Sequence, residues 1–235
     1  QAKADYIGFI DADDIVLSGY FETLVDVIQQ QQPDLIEIGY KRFRDCSELT
    51  TTKARYLHQK SGWLQKQQSL KETFAASRWF PWLRLYLKSM LSNFQFPAGI
   101  AYCEDVMALP ALYLQAQRIY HLRLPLYGYR EHRASASFHV SAEHQLQVQS
   151  FFSALQQKKI YPAMADHLRH ILLFNLAYLI YQFQLTSLSQ SGLPAGLAEQ
   201  FKALLSQYAH LVPVSLHPIY RSKGFARFSK NGNVI

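Results

Sequence analysis

Three carboxylates fall within four residues at Asp11-Ala12-Asp13-Asp14, directly after the apolar run Tyr6-Ile7-Gly8-Phe9-Ile10. Crowded carboxylates repel one another and resist ionising together. A hard divalent cation removes that repulsion, and Mg²⁺ or Mn²⁺ is commonly held by one or two carboxylates plus phosphate oxygens. In open α/β sheets, ligands collect outside the carboxyl ends of the strands, and an acidic turn after an apolar strand sits there. The same residues would equally serve as a solvated turn capping the next helix, and spacing alone leaves both readings open. A second acidic pair, Glu104-Asp105, precedes an apolar helical pattern. Taken alone it reads as a cap or a partner of the helix dipole. The third candidate is the stretch from Tyr127 to Ser137. Arg130 and Arg133 can pair phosphate oxygens, and His132 can ligate a metal or donate to phosphate, although a charged surface loop would look the same.

The elements around these residues follow from periodicity. Tyr6 to Ile10 reads as a strand buried on both faces. Ser18 is expected to cap a helix with Phe21, Leu24, Val25 and Ile28 on one face, and Pro33 stops it. Leu35, Ile36 and Ile38 form the next strand, so a strand–helix–strand unit and a parallel sheet are expected. Residues 45–62 are polar and read as a loop. Leu70 to Leu91 is expected to be mostly helical with a break near Pro81, and Phe94 to Pro97 is extended. A helix follows Glu104-Asp105 to about Gln117, and Ile119–Leu122 and Tyr127–Arg130 read as two short strands around Pro125. Beyond Ser141 three helical patterns follow, roughly 142–158, 163–187 and 195–209, which places a boundary near residue 140.

The chain has 235 residues, 49% hydrophobic and 17% charged, enough apolar material for a core and too little charge for a disordered chain. Two cysteines, Cys46 and Cys103, make no disulfide framework and have no zinc-type spacing, which favours a reducing compartment. The opening residues lack the charged-then-apolar order of a signal peptide. The longest apolar stretch, Ile171 to Leu185, falls short of the ~20 residues a spanning helix needs. Residues 1–37 carry eight acids and one base, whereas the remainder carries 9 acids and 23 bases. The basic remainder suits a polyanion: nucleic acid, an anionic membrane face or a phosphorylated ligand. Arg221, Lys223, Arg227 and Lys230 near the end suit peripheral contact with an anionic membrane.

In order along the chain stand the strand ending in Asp-x-Asp-Asp, Trp82-Leu83-Arg84-Leu85-Tyr86, Phe-Pro-x-Gly-x-x-Tyr-x-Glu-Asp-Val (96–106) and Pro-Leu-Tyr-x-Tyr-Arg-x-x-x-x-Ser (125–135). This succession resembles the family 2 glycosyltransferases of bacterial surface-polysaccharide synthesis, over about residues 1–140. The resemblance implies an α/β fold: a partial GT-A (Rossmann-like) sheet at 1–140, followed by an all-helical C-terminal region at 141–235. It implies an enzyme that moves a sugar from a nucleotide-diphosphate donor, a UDP-sugar, to a glycan or lipid-linked acceptor of the capsule or lipopolysaccharide kind. Mn²⁺ or Mg²⁺ would be the cofactor. Its place would be cytoplasmic, with peripheral contact at the inner face of the cytoplasmic membrane.

By position, Asp11 and Asp13 match the family's Asp-x-Asp pair, which touches the donor ribose and holds the metal, with Asp13 the principal metal ligand. Asp105 matches the catalytic base, and Glu104 beside it supports the base or contacts acceptor. Arg130, His132 and Ser135 match the donor-binding loop over the diphosphate. The Pro-x-Tyr-Asn-like and Asp-Asp-Gly-Ser motifs that build the family's nucleotide-base pocket do not occur here. That is the content of about two βαβ units of ~30 residues each, expected ahead of Gln1. Two other readings compete. A haloacid-dehalogenase-like phosphatase would use Asp11 as nucleophile and Asp13 as acid/base, but it needs an acidic pair after another apolar strand, and Glu104-Asp105 follows Ala-Tyr-Cys. A basic nucleic-acid-binding module fits the charge but has no helix-turn-helix, RNA-binding or zinc-finger signature.

Overall fold

The computed structural model describes residues 3–100, 102–132 and 141–187, with side chains to residue 180, and the single position Ala203. The chain divides into two compact units. One comprises 1–72, 78–98 and 104–139, and the other 73–77, 99–103 and 140–235.

The first unit is built on a mixed sheet. Its strands are β1 (Tyr6–Gly8), β2 (Ile15–Val16), β3 (Leu35–Phe43), β4 (Gly62–Trp63), β5 (Arg84–Leu87) and β6 (Ile119–Arg130), and its helices are α1 (Tyr20–Gln31), the start of α2 (Lys66–Ala76) and α3 (Glu104–Gln115). The strand order is β1-β5-β3-β6-β2, with β4 paired to β6. β3 is the spine: its first six residues are buried, and it runs parallel to β6 from Leu35↔Ile119 to Phe43↔Arg130. A core of Leu24, Ile36, Ile38, Tyr40, Trp82, Leu83, Leu126 and Tyr127 packs α1 against the sheet.

Several expectations are corrected by this topology. The strand–helix–strand unit forms, but β1 and β3 are not neighbours, because β5 runs antiparallel between them. β5 lies within the stretch expected to be helical. Leu83, Leu87 and Leu91 stand at helical spacing, yet after the short 3₁₀ turn Pro81–Leu83 the chain is extended and Arg84, Leu85 and Tyr86 are buried. Among the described residues β1 pairs only with β5, so it is an edge strand rather than one buried on both faces. Its residues are half-buried or exposed, and Ile10 beyond it is 51% exposed. Ser18 is not the cap of α1; Gly19 is, in a left-handed conformation with no side-chain bond. The helix turns Tyr20, Leu24 and Val27 inward and leaves Phe21 and Val25 exposed. Residues 45–62 contain a 3₁₀ turn at Cys46–Thr50, and Tyr40 and Arg55 bridge there.

The two short strands expected around Pro125 are one twelve-residue strand. Proline cannot donate to the ladder, and the register shifts on both sides of Gly39, the residue opposite Pro125. A Cβ on Gly39 would stand 2.6 Å from the Tyr56 ring and 2.8 Å from the Leu124 carbonyl oxygen. Only glycine lets the backbones approach so closely there.

In the second unit, α4 (Ala142–Gln156) and α5 (Asp166–Ser187) fall where helical periodicity put them. Ser141 caps α4 by accepting from the His144 N–H, and the His144 side chain accepts from the Ser141 N–H in return. Residues 171–177 of α5 are all buried, as expected of a helix apolar on most of its surface. Buried Arg169 donates to the carbonyl oxygens of Leu155, Tyr161 and Met164 at 3.0, 2.7 and 3.2 Å, which fixes the α4–α5 connection. Asn175 donates to the Phe74 carbonyl at 2.8 Å. No helix among the described residues is long and apolar enough to cross a membrane. The expected helix at 195–209, apart from Ala203, and the basic end at 221–230 lie outside the described residues.

Candidate active site

Topology sets the address of the acidic turn. β1 is antiparallel to β5, β5 is antiparallel to β3, and β3 is parallel to β6, so β1, β3 and β6 all point the same way. The turn at Asp11–Asp14 follows the carboxyl end of β1, and Arg130 closes the carboxyl end of β6 beside it. This is the side of an α/β sheet where ligands gather.

The three carboxylates divide their work. Asp14 is the anchor: its two oxygens accept from the Tyr127 hydroxyl at 2.8 Å and from the Arg130 N–H at 2.7 Å. The Tyr127 oxygen in turn accepts from the Asp11 N–H at 3.0 Å, and the turn closes through Asp14 N–H to the Asp11 carbonyl at 3.1 Å. Behind Tyr127, Trp82 stacks at 4.6 Å with the rings nearly parallel, so the core fixes the phenol that holds the turn. The Arg130 guanidinium donates to the Asp13 carbonyl at 2.9 Å and lies over the Phe43 ring at 4.7 Å. Asp13 pairs with His132 through Oδ2 and Nε2 at 2.5 Å, and this bond holds its carboxyl below the ordinary range.

Asp11 differs. Partial desolvation, then the charges of Asp14, Asp13 and Glu104, push its carboxyl above the ordinary range. A group in that state gains from a nearby cation. The exposed Asp11 carboxylate and the second oxygen of Asp13 are the hard oxygen donors that Mg²⁺ or Mn²⁺ uses, so the residues fit such an ion.

Glu104 and Asp105 occupy the first turn of α3. Glu104 lies within electrostatic reach of Asp11, so the structure brings the two acidic sites close. Asp105 Oδ1 accepts from the Val106 N–H at 2.6 Å. Burial of its carboxyl, with the Glu104 charge added and the Arg84 charge opposing, pushes it up to about 7. A carboxylate in that range is suited to taking a proton near neutral pH. Ser135, the remaining donor-loop residue expected from sequence, lies outside the described residues.

Sequence reasoning missed the anchoring roles of Tyr127 and Asp14, because both depend on the pairing of β2 with β6. It also missed a buried polar group beneath the sheet, where Arg84 donates to the Tyr113 hydroxyl and Tyr113 donates to Glu37. Burial pushes the Glu37 carboxyl up, but the imidazoles of His58 and His121 beside it outweigh this and hold it well below the carboxylate range. A lone Glu within the apolar run Leu35–Ile38 was the available signal.

No family model matches the chain. Over 137 residues, 55% of this chain and 39% of the relative, it is 28% identical to the uncharacterized glycosyltransferase EpsJ of Bacillus subtilis (strain 168). Over 140 residues, 57% of this chain and 40% of the relative, it is 26% identical to the putative glycosyltransferase EpsH of the same organism. The chain thus spans about two fifths of the length of these relatives. The structure is similar to that of S. aureus TarS 1-349 in complex with UDP-GlcNAc, with a TM-score of 0.59 at 15% identity over 92% of this chain and 60% of that one. The same protein in complex with UDP superposes with a TM-score of 0.56 at 16% identity over 92% of this chain and 58% of that one. With an acidic turn at the carboxyl ends of parallel strands and an acid pair opening α3, the chain is similar in sequence to proteins described as glycosyltransferases and shares its fold with the S. aureus TarS structures.

Proposed function

We propose that this chain serves a metal-dependent, inverting glycosyl transfer from a nucleotide-diphosphate sugar, a UDP-sugar, to a glycan or lipid-linked acceptor in bacterial surface-polysaccharide synthesis. The observation that carries the reading is Asp105: a carboxyl pushed up to about 7 at the start of α3, with its neighbour Glu104 in electrostatic reach of the acidic turn. In this reading Asp105 removes the proton of an acceptor hydroxyl as its oxygen attacks the anomeric carbon. The bond from that carbon to the diphosphate oxygen breaks on the opposite face, and the nucleoside diphosphate leaves with the electron pair. A positioned base of this kind contributes typically about 10²–10⁴-fold. Glu104 supports the base or meets acceptor.

Arg130 and His132 stand beside the turn where the leaving diphosphate would gain charge, and preset hydrogen-bond donors act most strongly on charge that develops in the transition state. Asp13 and Asp11 would hold Mn²⁺ or Mg²⁺, which supplies neutralisation of the diphosphate. The UDP-sugar donor is supported by the UDP-GlcNAc and UDP complexes of the similar S. aureus protein.

The test is donor binding and sugar transfer with a panel of UDP-sugars, with and without Mn²⁺. Asp105→Asn should abolish transfer and keep donor binding, whereas Asp13→Asn should weaken Mn²⁺-dependent binding. Equal loss of donor binding in both variants would refute the division of roles.

A further inference from the structure

Glu37 and His121 are directly opposed in the parallel pairing of β3 with β6, so their side chains leave the same face of the sheet. His58, from the segment between β3 and β4, closes over them. All three are at least 95% buried. His58 Nε2 lies 2.8 Å and His121 Nδ1 2.5 Å from the same oxygen, Glu37 Oε2, and among the described residues these three donor atoms lie within 4.8 Å of one another. Three potential ligand atoms therefore converge on one point.

The atoms pointing away from that point are also held. His58 Nδ1 meets Glu72 Oε2 at 2.6 Å, and His121 Nε2 meets Ser69 Oγ at 3.1 Å. Glu37 Oε1 accepts from Tyr113 and faces the Arg84 guanidinium at 3.5 Å. A carboxylate on the far nitrogen of a histidine fixes the tautomer that presents the near nitrogen as a lone pair, the usual outer arrangement of a metal-bound imidazole. Without an ion, the near nitrogens contact Glu37 Oε2 as hydrogen bonds; an ion at their centre would take the place of those protons and bind the near nitrogens as lone pairs, since metal binding releases the protons of its ligands.

We infer that Glu37, His58 and His121 form a metal site, separate from the Asp11–Asp13 turn, that takes Zn²⁺ on three protein ligands with the fourth position left to water. Two imidazole nitrogens and one carboxylate oxygen are a zinc donor set. Zinc–ligand bonds of about 2.0–2.2 Å require the donor atoms to move apart by a few tenths of an ångström to about 1 Å, which rotation of the two imidazoles supplies. A dication between neutral imidazoles leaves the cluster with the same net charge as two imidazolium ions, so Glu37, Glu72 and Arg84 stay balanced. The ion would tie the loop bearing His58 to β3 and β6, and so brace the central pair of the sheet.

The experiment uses the whole chain carrying Asp11→Asn and Asp13→Asn, which removes the other candidate metal ligands. The metal-stripped protein is titrated with Co²⁺ and followed by visible absorption, and Zn²⁺ is then added in competition. One equivalent of Co²⁺ with ligand-field bands, displaced by Zn²⁺, is expected. Glu72→Gln, which leaves all three ligands in place, should weaken Zn²⁺ binding about 10–100-fold, and His58→Gln should abolish it. Absence of a stoichiometric site in the doubly substituted chain overturns the inference, as does unchanged affinity in Glu72→Gln. The first measurement needs no substitution inside the cluster, so misfolding of His58→Gln would not protect the proposal.

Discussion

Replacing Asp105 by Asn should make the protein more stable while abolishing transfer, and the stability gain should grow with pH. The Asp105 carboxyl is pushed from its ordinary 3.8 up to about 7 by burial. The folded chain therefore holds a proton there that the unfolded chain releases. Ionisation opposes folding, so this group's contribution to stability falls as pH rises from about 4 to 7, and the cost is complete above 7. The displacement corresponds to about 4 kcal/mol at ~1.4 kcal/mol per pH unit. Asp105 keeps some contact with solvent, and screening there reduces the expected figure to about 2 kcal/mol. Asparagine keeps the shape and can still accept the Val106 N–H through Oδ1, but it does not ionise. Thermal or urea unfolding of both proteins at pH 5 and pH 8.5 measures the difference. Asp105→Asn should melt roughly 4–8 °C higher at pH 8.5, with a smaller gain at pH 5. A gain that does not change with pH, or a loss at both values, would show that the carboxyl is not desolvated and would remove the main support for its role as base.

Four further outcomes follow from the same geometry. The rate of transfer should rise about tenfold per pH unit below 7 and level off above it, as Asp105 loses its proton; a rate flat from pH 5 to 8 would exclude it as the base. Chelation with EDTA should remove Mn²⁺-dependent donor binding, and added Mn²⁺ should restore it less well in Asp13→Asn than in the parent, as titration calorimetry would record. Tyr127→Phe takes a donor from Asp14 and an acceptor from the Asp11 N–H, and should cost about 1–3 kcal/mol along with donor affinity, read by denaturant unfolding and donor titration. Gly39→Ala drives a methyl against the Tyr56 ring and the Leu124 carbonyl, and should destabilise by about 1–3 kcal/mol in the same unfolding assay.

Local features were legible along the chain. The acidic turn, the helix beginning at Glu104-Asp105, the strand at Leu35 and the two helices after Ser141 are written in consecutive residues, because helix and strand periods and terminal residues act over a few positions. The succession of short motifs pointed to the glycosyltransferase fold for the same reason: each motif is a stretch of neighbours. What the sequence could not convey was strand order. Whether Arg84–Leu87 continues a helix or inserts between β1 and β3 is decided by the hydrogen bonds those two strands offer, and no local pattern records them. The same holds for burial of β1, which depends on how many neighbours the strand acquires. The anchoring of Asp14 by Tyr127 joins residues 113 positions apart, and the Glu37–His121 contact follows from the register of two strands distant in sequence. Residue types announce which chemistry is available. The long-range pairing of strands, which must outweigh the entropy of closing the intervening chain, determines which of those residues meet.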